Sequence, residues 1–324
     1  MPSSYKSSVS TKKVAAKTLD GRLLCSSSLS YGIREPYLSG AGFLSPPLQI
    51  TKGVNSCLIG PTLDGIVIAF RGTTPEAMDW LQNTSAKLIS SSLSPKGRVH
   101  KGFYTALFNK GLAQDIVVAL LDLISSSSCS TKSKYKSRRC KIYLTGHSKG
   151  GCLASLFALE LLQTPELPNP EYVCTFGAPR VGDGDFGLYY QDHIRHTSYE
   201  NHLDIFPFLP PSPRDSPKMS SMVEDVQQEG ACNESSKNKS CATGQIKKWD
   251  YAPIGHRKFI SPQGEIVHHV SRELDNNRIR EIEGKTILRL GQFLQAHCSA
   301  CPDEANGCSG GYFKAIAPEI CGSA

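Results

Sequence analysis

Ser148 lies in a pattern that favours nucleophilic catalysis. It is the central residue of the pentapeptide Gly-His-Ser-Lys-Gly at 146–150, which follows a short apolar run and precedes a helical pattern. Gly-x-Ser-x-Gly between a strand and a helix predicts a tight turn, because the glycines leave the room that the strained serine backbone requires. The hydroxyl is then exposed at the carboxyl edge of a sheet, near a helix N-terminus that stabilises negative charge. The pattern predicts acyl-transfer chemistry at Ser148.

A serine nucleophile needs two partner side chains. A histidine must accept the hydroxyl proton, and a carboxylate must orient that histidine and stabilise its charged form. In hydrolases with this turn, the acid follows the serine along the chain and the histidine follows the acid. Asp204 comes after a predicted strand and fits the acid. Asp183 is the alternative acid, although it lies in a glycine-rich turn where an aspartate commonly bonds its own backbone.

The candidate bases are the histidines that follow the acid. His297 comes after a long apolar helical pattern and is the preferred base, whereas His256 lies in a predicted loop and is kept as an alternative. His268 and His269 belong to a strand-like run, in which only one of two neighbours can face the site. His100 precedes the serine, so we expect a structural hydrogen-bonding role for it.

The apolar run at 65–70 predicts a central strand covered on both faces, because it is nearly continuous and rich in β-branched residues. It ends in a glycine-containing loop at 71–74. In hydrolases of this architecture, such a loop supplies one of the two backbone N–H groups that stabilise an oxyanion.

Strand-like and helical patterns alternate along the chain, which favours an α/β fold with a mostly parallel sheet and helices on both faces. The predicted strands lie at 50–57, 65–70, 142–144, 172–176 and 194–199, and helices are predicted around Phe108, Leu112, Ile116 and Leu120, after the serine, and at 287–294. Because the carboxyl ends of parallel strands meet at one edge, we expect Asp204 at the same edge as Ser148.

Composition divides the chain into a globular part and less regular segments. Residues 1–14 predict a disordered or targeting tail, and residues 211–248 predict a polar insertion. The remainder of 15–324 is expected to form a single domain. Residues 77–98 mix apolar and polar positions, so they are interpreted either as a surface connection or as a lid over the site.

Charge and hydropathy exclude some classes of protein. The chain has 324 residues and a net charge of +7. A basic run at 132–139 lacks aromatic interleaving and any nucleic-acid motif, so it is interpreted as a solvated loop, although its sign also suits an anionic membrane surface. No apolar run reaches the roughly 18 residues that a transmembrane helix needs.

Twelve cysteines are many for a cytosolic enzyme of this length. Those at 25, 57, 152 and 174 lie in apolar surroundings and are expected to be buried thiols. The cysteines at 298, 301, 308 and 321, together with His297, suit either a zinc cluster or disulfide bonds, and both interpretations stay open. Sequons favour an oxidising compartment and the N-terminus lacks a signal-peptide core, so cytoplasmic, membrane-peripheral, organellar and secretory locations all stay open.

Ordered motifs at 70–73, 99–103, 146–151, 175–182 and 201–207 together resemble those of the class 3 lipases. This family of fungal and plant α/β-hydrolases includes triacylglycerol lipases, phospholipases A1 and feruloyl esterases. The resemblance covers about residues 60 to 210 strongly and the C-terminus weakly. It implies an α/β-hydrolase fold for this chain.

Position by position, the resemblance implies a catalytic set. Ser148 is the nucleophile, Asp204 is the acid, and the backbone N–H groups of Thr73 and Lys149 form the oxyanion hole. His297 matches the base, because the family has Ala-His followed within a few residues by Tyr-Phe. Here a cysteine-bearing insertion separates His297 from the Tyr-Phe pair, which begins at Tyr312.

A lysine stands directly after the nucleophile, where the family usually has an apolar residue. The backbone donor of Lys149 is unchanged, but a cation beside the developing oxyanion is expected to shift substrate preference toward anionic lipids.

The implied function is hydrolysis of carboxylic esters of lipids, by an acylglycerol lipase or a phospholipase A1 at a membrane or lipid-droplet interface. No cofactor or metal is expected, and the oligomeric state stays open. Two alternatives are a non-catalytic lipase-like interaction module and a soluble esterase that acts on small esters.

Overall fold

The computed structural model of the protein describes residues 15–35, 37–73, 87–126, 140–212, 250–284, 296–297 and 311–321. The strands are β1 Leu48–Lys52, β2 Asn55–Pro61, β3 Ile66–Phe70, β4 Leu88–Ile89, β5 Val99–His100, β6 Ile142–His147, β7 Pro170–Phe176, β8 Gly182–Asp183, β9 His196–Asn201, β10 Tyr251–Ala252, β11 His256–Ile260 and β12 Ile266–Val267. The helices are α1 Leu19–Leu29, α2 Tyr37–Ala41, α3 Lys101–Phe108, α4 Leu112–Ser126, α5 Lys149–Leu162, α6 Gly184–His193, α7 Arg272–Gly284 and α8 Gly311–Ile316. Short 3-10 turns lie at Phe206–Phe208 and Pro318–Cys321.

The main sheet has the strand order β1-β2-β3-β6-β7-β9-β11-β12. Its central pairs, from β3 to β11, are parallel, whereas β1, β2 and β12 add antiparallel edges. A second, antiparallel sheet has the order β10-β8-β5-β4. The prediction of a mostly parallel sheet is confirmed, and the carboxyl ends of β3, β6, β7 and β9 lie along one edge.

Alternating residues of the central strands face two hydrophobic clusters. In β3, Ile66, Ile68 and Phe70 pack with α3, α4 and α5 on one face of the sheet. Val67 and Ala69 face the other cluster, which includes residues of α1, α2 and α8. Because both faces are covered, β3 and β6 are buried along their whole lengths. The predicted helices on both faces are therefore confirmed.

Two predicted elements have different boundaries in the structure. The predicted strand at 50–57 spans parts of two strands, β1 and β2, which form a hairpin around Gly53 with φ +59°. The predicted helix through Phe108 and Leu112 is two helices, because Gly111 adopts φ +77° between α3 and α4. The four predicted positions keep their spacing of four residues across this break by coincidence. Of these four, Leu112, Ile116 and Leu120 are fully buried, whereas Phe108 is not.

Part of the proposed lid segment belongs to the body of the protein. Leu88–Ile89 pairs with β5, and Leu93 is buried in the larger core cluster. Ser92 accepts a hydrogen bond from the side chain of Gln163 at the end of α5. Residues 77–86 lie outside the described residues, so the lid interpretation stays a prediction for that part alone.

Several other predictions fall outside the described residues: the tail at 1–14, nearly all of the insertion at 211–248, and the helix at 287–294. The cysteines at 25, 57, 152 and 174 are buried free thiols, as predicted. Cys140 and Cys321 each take part in a disulfide bond. Among the described residues there is no candidate metal cluster and no helix long and apolar enough to cross a membrane.

Candidate active site

Ser148 occupies a strained turn between β6 and α5. Its φ of 55° and ψ of −134° make it the only non-glycine residue with positive φ in the described part of the chain. A Cβ on Gly146 would lie 2.3 Å from the backbone of Gly150, and one on Gly150 would lie 2.2 Å from the carbonyl oxygen of Phe70. Two glycines are therefore required where helix, strand and neighbouring strand approach closely. The turn predicted at 146–150 is confirmed.

The serine side chain is not used to cap the helix that it precedes. Ser148 is the N-cap of α5, but its hydroxyl makes no capping hydrogen bond. Its backbone N–H donates to the carbonyl oxygen of Phe176 at 3.0 Å, which ties the turn to the end of β7. Ser148 is only 3% exposed, so its hydroxyl is less accessible than the sequence predicts, because the ends of β3 and β7 enclose the turn.

Asp204 and His297 form a buried pair. The Nδ1 atom of His297 lies 2.9 Å and 3.0 Å from the two carboxylate oxygens of Asp204, which is fully buried. A carboxylate only accepts, so Nδ1 carries the proton and Nε2 has its lone pair available. His297 Nε2 is buried and makes no hydrogen bond within the described residues. This tautomer is the one that a general base requires.

The carboxylate of Asp204 is held by donors besides the histidine. Its Oδ1 accepts from the backbone N–H of Phe206 at 3.0 Å, and its Oδ2 accepts from the Tyr312 hydroxyl at 2.9 Å. Burial, and then the Asp204 charge, raise the pKa of Tyr312 well above its ordinary value, so the phenol stays protonated and donates. The same phenol oxygen accepts from the backbone N–H of Asn201 at 3.1 Å.

His297 is held through its ring and its backbone. The Phe206 ring stacks on the imidazole at a centroid distance of 3.6 Å. The carbonyl of the preceding residue, Ala296, accepts from the Asn201 side chain at 2.9 Å, and the carbonyl of His297 accepts from His147 Nε2 at 2.9 Å. His297 is therefore attached to the residue directly before Ser148, although 150 positions separate His147 and His297 in the chain.

His147 links His297 to the segment that follows α1. Because its Nε2 donates to a carbonyl, its Nδ1 accepts the hydrogen bond from the Tyr31 hydroxyl at 2.8 Å. Burial, followed by the proximity of His297, lowers the pKa of His147 well below its ordinary value, so the ring is neutral. Gly72 makes room for this contact, since a Cβ there would lie 2.1 Å from the Tyr31 hydroxyl oxygen.

The two residues assigned to the oxyanion hole lie on adjacent elements. Thr73 follows β3, and Lys149 is the first residue of α5. β3 and β6 are parallel, with Phe70 opposite Gly146, so the loop after β3 begins beside the serine turn. The Thr73 hydroxyl oxygen is buried without a hydrogen-bond partner among the described residues. This edge of the sheet thus brings together Ser148, Thr73, Lys149, Asp204 and His297.

Comparison with known proteins shows what the central part of the chain resembles. Residues 67–213 match the family described as lipase (class 3). The chain is a relative of the class 3 lipases. A lipase of Rhizomucor miehei is 34% identical over 151 residues, covering 45% of this chain and 38% of that protein. Phospholipase A1-IIgamma of Arabidopsis thaliana is 25% identical over 187 residues, covering 51% and 42%. The chain thus spans about two fifths of the length of these curated relatives.

Solved structures of fungal lipases share the fold. Lipase II of Rhizopus niveus superposes with a TM-score of 0.56 at 16% identity, covering 83% of this chain and 90% of that one. The triacylglyceride lipase of Rhizomucor miehei superposes with a TM-score of 0.53 at 20% identity, covering 80% and 87%. The expected α/β-hydrolase fold is confirmed, and so is the family resemblance.

The alternative residues considered from the sequence occupy other positions in this lipase fold. Asp183 caps α6 by accepting from the backbone of Phe186, and it also binds the side chain of Arg98. His100 caps α3 through Nδ1, and burial lowers its pKa to about 4. His256 is exposed at the first residue of β11, away from the carboxyl edge. His268 and His269 are both exposed beyond β12, so the predicted strand there ends early.

Sequence reasoning missed the supporting residues of the candidate site. The roles of Tyr31 and His147 depend on contacts across more than 100 residues, and only the position of His147 inside the serine motif hinted at one of them. Tyr312 was noted only as a marker of the family pattern, whereas the structure shows its hydroxyl bound to Asp204. Phe206 likewise belonged to a motif but had no assigned contact.

Proposed function

We propose that the protein is a serine hydrolase that cleaves carboxylic esters of lipids through an acyl-enzyme at Ser148. The observation that carries the proposal is the buried Asp204–His297 pair. Among the described residues, His297 Nε2 has no hydrogen-bond partner, and the His297 carbonyl accepts from His147, the residue before Ser148. The catalytic roles that follow are part of the same proposal.

In the first half-reaction, the Ser148 hydroxyl oxygen attacks the ester carbonyl carbon while His297 Nε2 accepts its proton. Asp204 stabilises the imidazolium that results, and the backbone N–H groups of Thr73 and Lys149 donate to the oxyanion. The tetrahedral intermediate then collapses, the carbon–oxygen bond of the ester breaks, and His297 returns the proton to the leaving alcohol.

In the second half-reaction, His297 takes a proton from a water molecule as its oxygen attacks the acyl carbon. Collapse of this second intermediate releases the carboxylic acid, and the proton returns to the Ser148 oxygen. His297 therefore serves as base and acid in each half, and atoms and charges balance without a cofactor.

A lipid ester is favoured as substrate by the relatives, which are named lipase and phospholipase A1. Choosing between a neutral acylglycerol and a phospholipid requires measurement. The interaction-module alternative predicts no turnover, and the soluble-esterase alternative predicts turnover that an emulsion does not increase.

The test is hydrolysis of a short and a long p-nitrophenyl ester by the wild type and by Ser148→Ala, His297→Ala and His256→Ala. We expect the first two substitutions to abolish turnover and the third to leave it unchanged, because His256 is exposed away from the pair. Emulsified triacylglycerol and phospholipid vesicles then identify the lipid class. An inert wild type, or an active Ser148→Ala, would contradict the proposal.

A further inference from the structure

The side chain that follows the nucleophile has an unusual environment. Lys149 is only 8% exposed, and its Nζ atom donates to the side-chain oxygen of Asn55 at 3.0 Å. In the described part of the chain, no carboxylate forms an ion pair with this ammonium. A buried cation whose partner is a neutral amide is costly, so its location calls for a physical explanation.

Asn55 is oriented toward the lysine. Its side-chain nitrogen donates to the carbonyl of Ala106 on α3 at 3.1 Å, so its oxygen faces the ammonium. Asn55 is also the first residue of β2, which flanks the end of β3. The lysine therefore connects the first turn of α5 to the strand beside the loop at 71–73.

Two further hydrogen bonds attach that strand to the loop. The backbone N–H of Arg71 donates to the carbonyl of Ser56 at 2.9 Å, and the guanidinium of Arg71 donates to the carbonyl of Val54 at 3.0 Å. The chain of contacts runs from Lys149 through Asn55 and its neighbours to Arg71, two residues before Thr73. The side chain of Lys149 is thus linked, through the start of β2, to the segment that contains Thr73.

We propose that Lys149 is a positioning residue for the oxyanion hole, because its ammonium ties the helix that carries one donor to the loop that carries the other. The buried positive charge also favours the tetrahedral intermediate over the neutral ester, since charges interact strongly where water is excluded. This inference rests on the proposed function. It replaces the expectation that the cation selects anionic lipids, because the side chain is buried against Asn55.

The proposal has a consequence for pH dependence. Burial first, and then repulsion from Arg71, lower the pKa of the Lys149 ammonium to about 8, against an opposing effect of Cys152. Among the described residues, its charged or titratable neighbours are Arg71, on the loop after β3, and Cys152, on α5. Burial raises the pKa of the Cys152 thiol well above its usual value, so the thiol stays neutral. The ammonium is therefore present below about pH 8 and is lost as the pH rises through that value. We expect kcat to decline as the ammonium is lost. KM should change little, because the oxyanion forms on the way to the tetrahedral intermediate and is absent from the bound ester.

The kinetic test measures kcat and KM from pH 6 to 9.5 for the wild type, Lys149→Met, Lys149→Arg and the control Lys141→Met. Lys141 is half-exposed and pairs with Glu171, so its removal tests the loss of a lysine elsewhere. We expect Lys149→Met to lower kcat about tenfold at pH 7, with KM within twofold, and to abolish the alkaline decline. Arginine keeps its charge throughout this range, so Lys149→Arg is expected to move the decline above pH 9.5.

A second measurement tests the ammonium contact without turnover. In protein labelled with ¹³C at lysine Cε, we expect one signal to titrate near pH 8 and to vanish in Lys149→Met. Asn55→Leu should lower that midpoint, because the amide oxygen no longer stabilises the charged form. A Lys149 signal whose midpoint is the same in the wild type and in Asn55→Leu would overturn the contact itself.

The outcomes separate the two proposals. An inert wild type contradicts the proposed function and the oxyanion role together. If the wild type is active and Lys149→Met has the same kcat and the same alkaline profile, the positioning role alone is overturned. If kcat falls in Lys149→Met and is kept in Lys149→Arg, the positive charge at this position supports catalysis as proposed. If Lys149→Met lowers only the melting temperature and leaves kcat unchanged, the positioning role is contradicted.

Discussion

The two halves of the candidate site are built by different means. The serine half is local: residues 146–151 contain the strained serine and the glycines that it requires, and backbone sterics fix its shape. The histidine half is assembled from distant segments, because Asp204, His297 and Tyr312 meet only through hydrogen bonds across the fold. The first half is therefore specified by a short pattern, and the second depends on the whole chain. Substitutions in the two halves should fail in different ways.

The largest effect is expected from closing the space in the serine half. Gly146→Ala places a Cβ 2.3 Å from the backbone of Gly150, so turn and helix must separate. We expect a loss of more than about 4 kcal/mol in the free energy of unfolding, together with loss of activity. Chemical denaturation measures the free energy of unfolding. The control is Gly184→Ala, where a Cβ meets nothing within 4 Å; equal stability of the two variants would contradict the crowding argument.

In the histidine half, Asp204→Asn should affect chemistry more than folding. An amide in place of the carboxylate can donate to Nδ1 and favour the wrong tautomer of His297. We expect kcat to fall about 10⁴-fold while the variant still unfolds cooperatively. Hydrolysis rates on a soluble ester measure the effect on chemistry, and a thermal melt measures the effect on folding. A loss of less than tenfold would mean that Asp204 does not orient the base.

Tyr312→Phe tests the hydrogen bond from Tyr312 to Asp204 in the histidine half. It removes the donor to Asp204 Oδ2 and leaves the buried N–H of Asn201 without its acceptor. We expect a cost of about 1–3 kcal/mol in unfolding and about a tenfold loss of kcat. Tyr104→Phe on α3 is the matched control, since it removes a hydroxyl outside these contacts. Equal rates for the two variants would show that the phenol has no part in holding the acid.

The smallest effect is expected where the two halves join. Tyr31→Phe removes the hydrogen bond to His147 Nδ1, which costs about 1 kcal/mol and lowers kcat about fivefold. His147→Asn should include that loss, so the double variant is expected to resemble His147→Asn alone. A double-mutant cycle of kcat/KM measures the coupling. Strictly additive effects would mean that Tyr31 does not act through His147.

The same division explains how much could be predicted from the sequence. The serine turn, the buried strand β3 and the parallel order of the sheet follow from local glycines and apolar periodicity, and they were predicted correctly. Asp204 was proposed from its position after a strand, and His297 was preferred over His256 from its position after an apolar helical pattern, a choice that the family resemblance also implies. No local signal reports that Tyr31 reaches His147 or that Lys149 turns toward Asn55, because those contacts depend on how distant elements pack.

Errors at element boundaries have a similar physical origin. Gly53 and Gly111 each adopt positive φ and divide an apolar pattern that otherwise continues through them. Apolar spacing indicates which side chains are buried, but it does not show where the backbone reverses or breaks. Single glycines therefore changed one predicted strand into a hairpin and one predicted helix into two.

The attachment of the base has a consequence for how this region can change. Ala296 and His297 are held through their carbonyls by Asn201 and His147, and Tyr312 is held separately by its contacts with Asp204 and Asn201. Each end of the connection from 298 to 311 is thus secured without help from the other. We therefore expect that a change in the number of residues between 298 and 310 would leave the histidine in place.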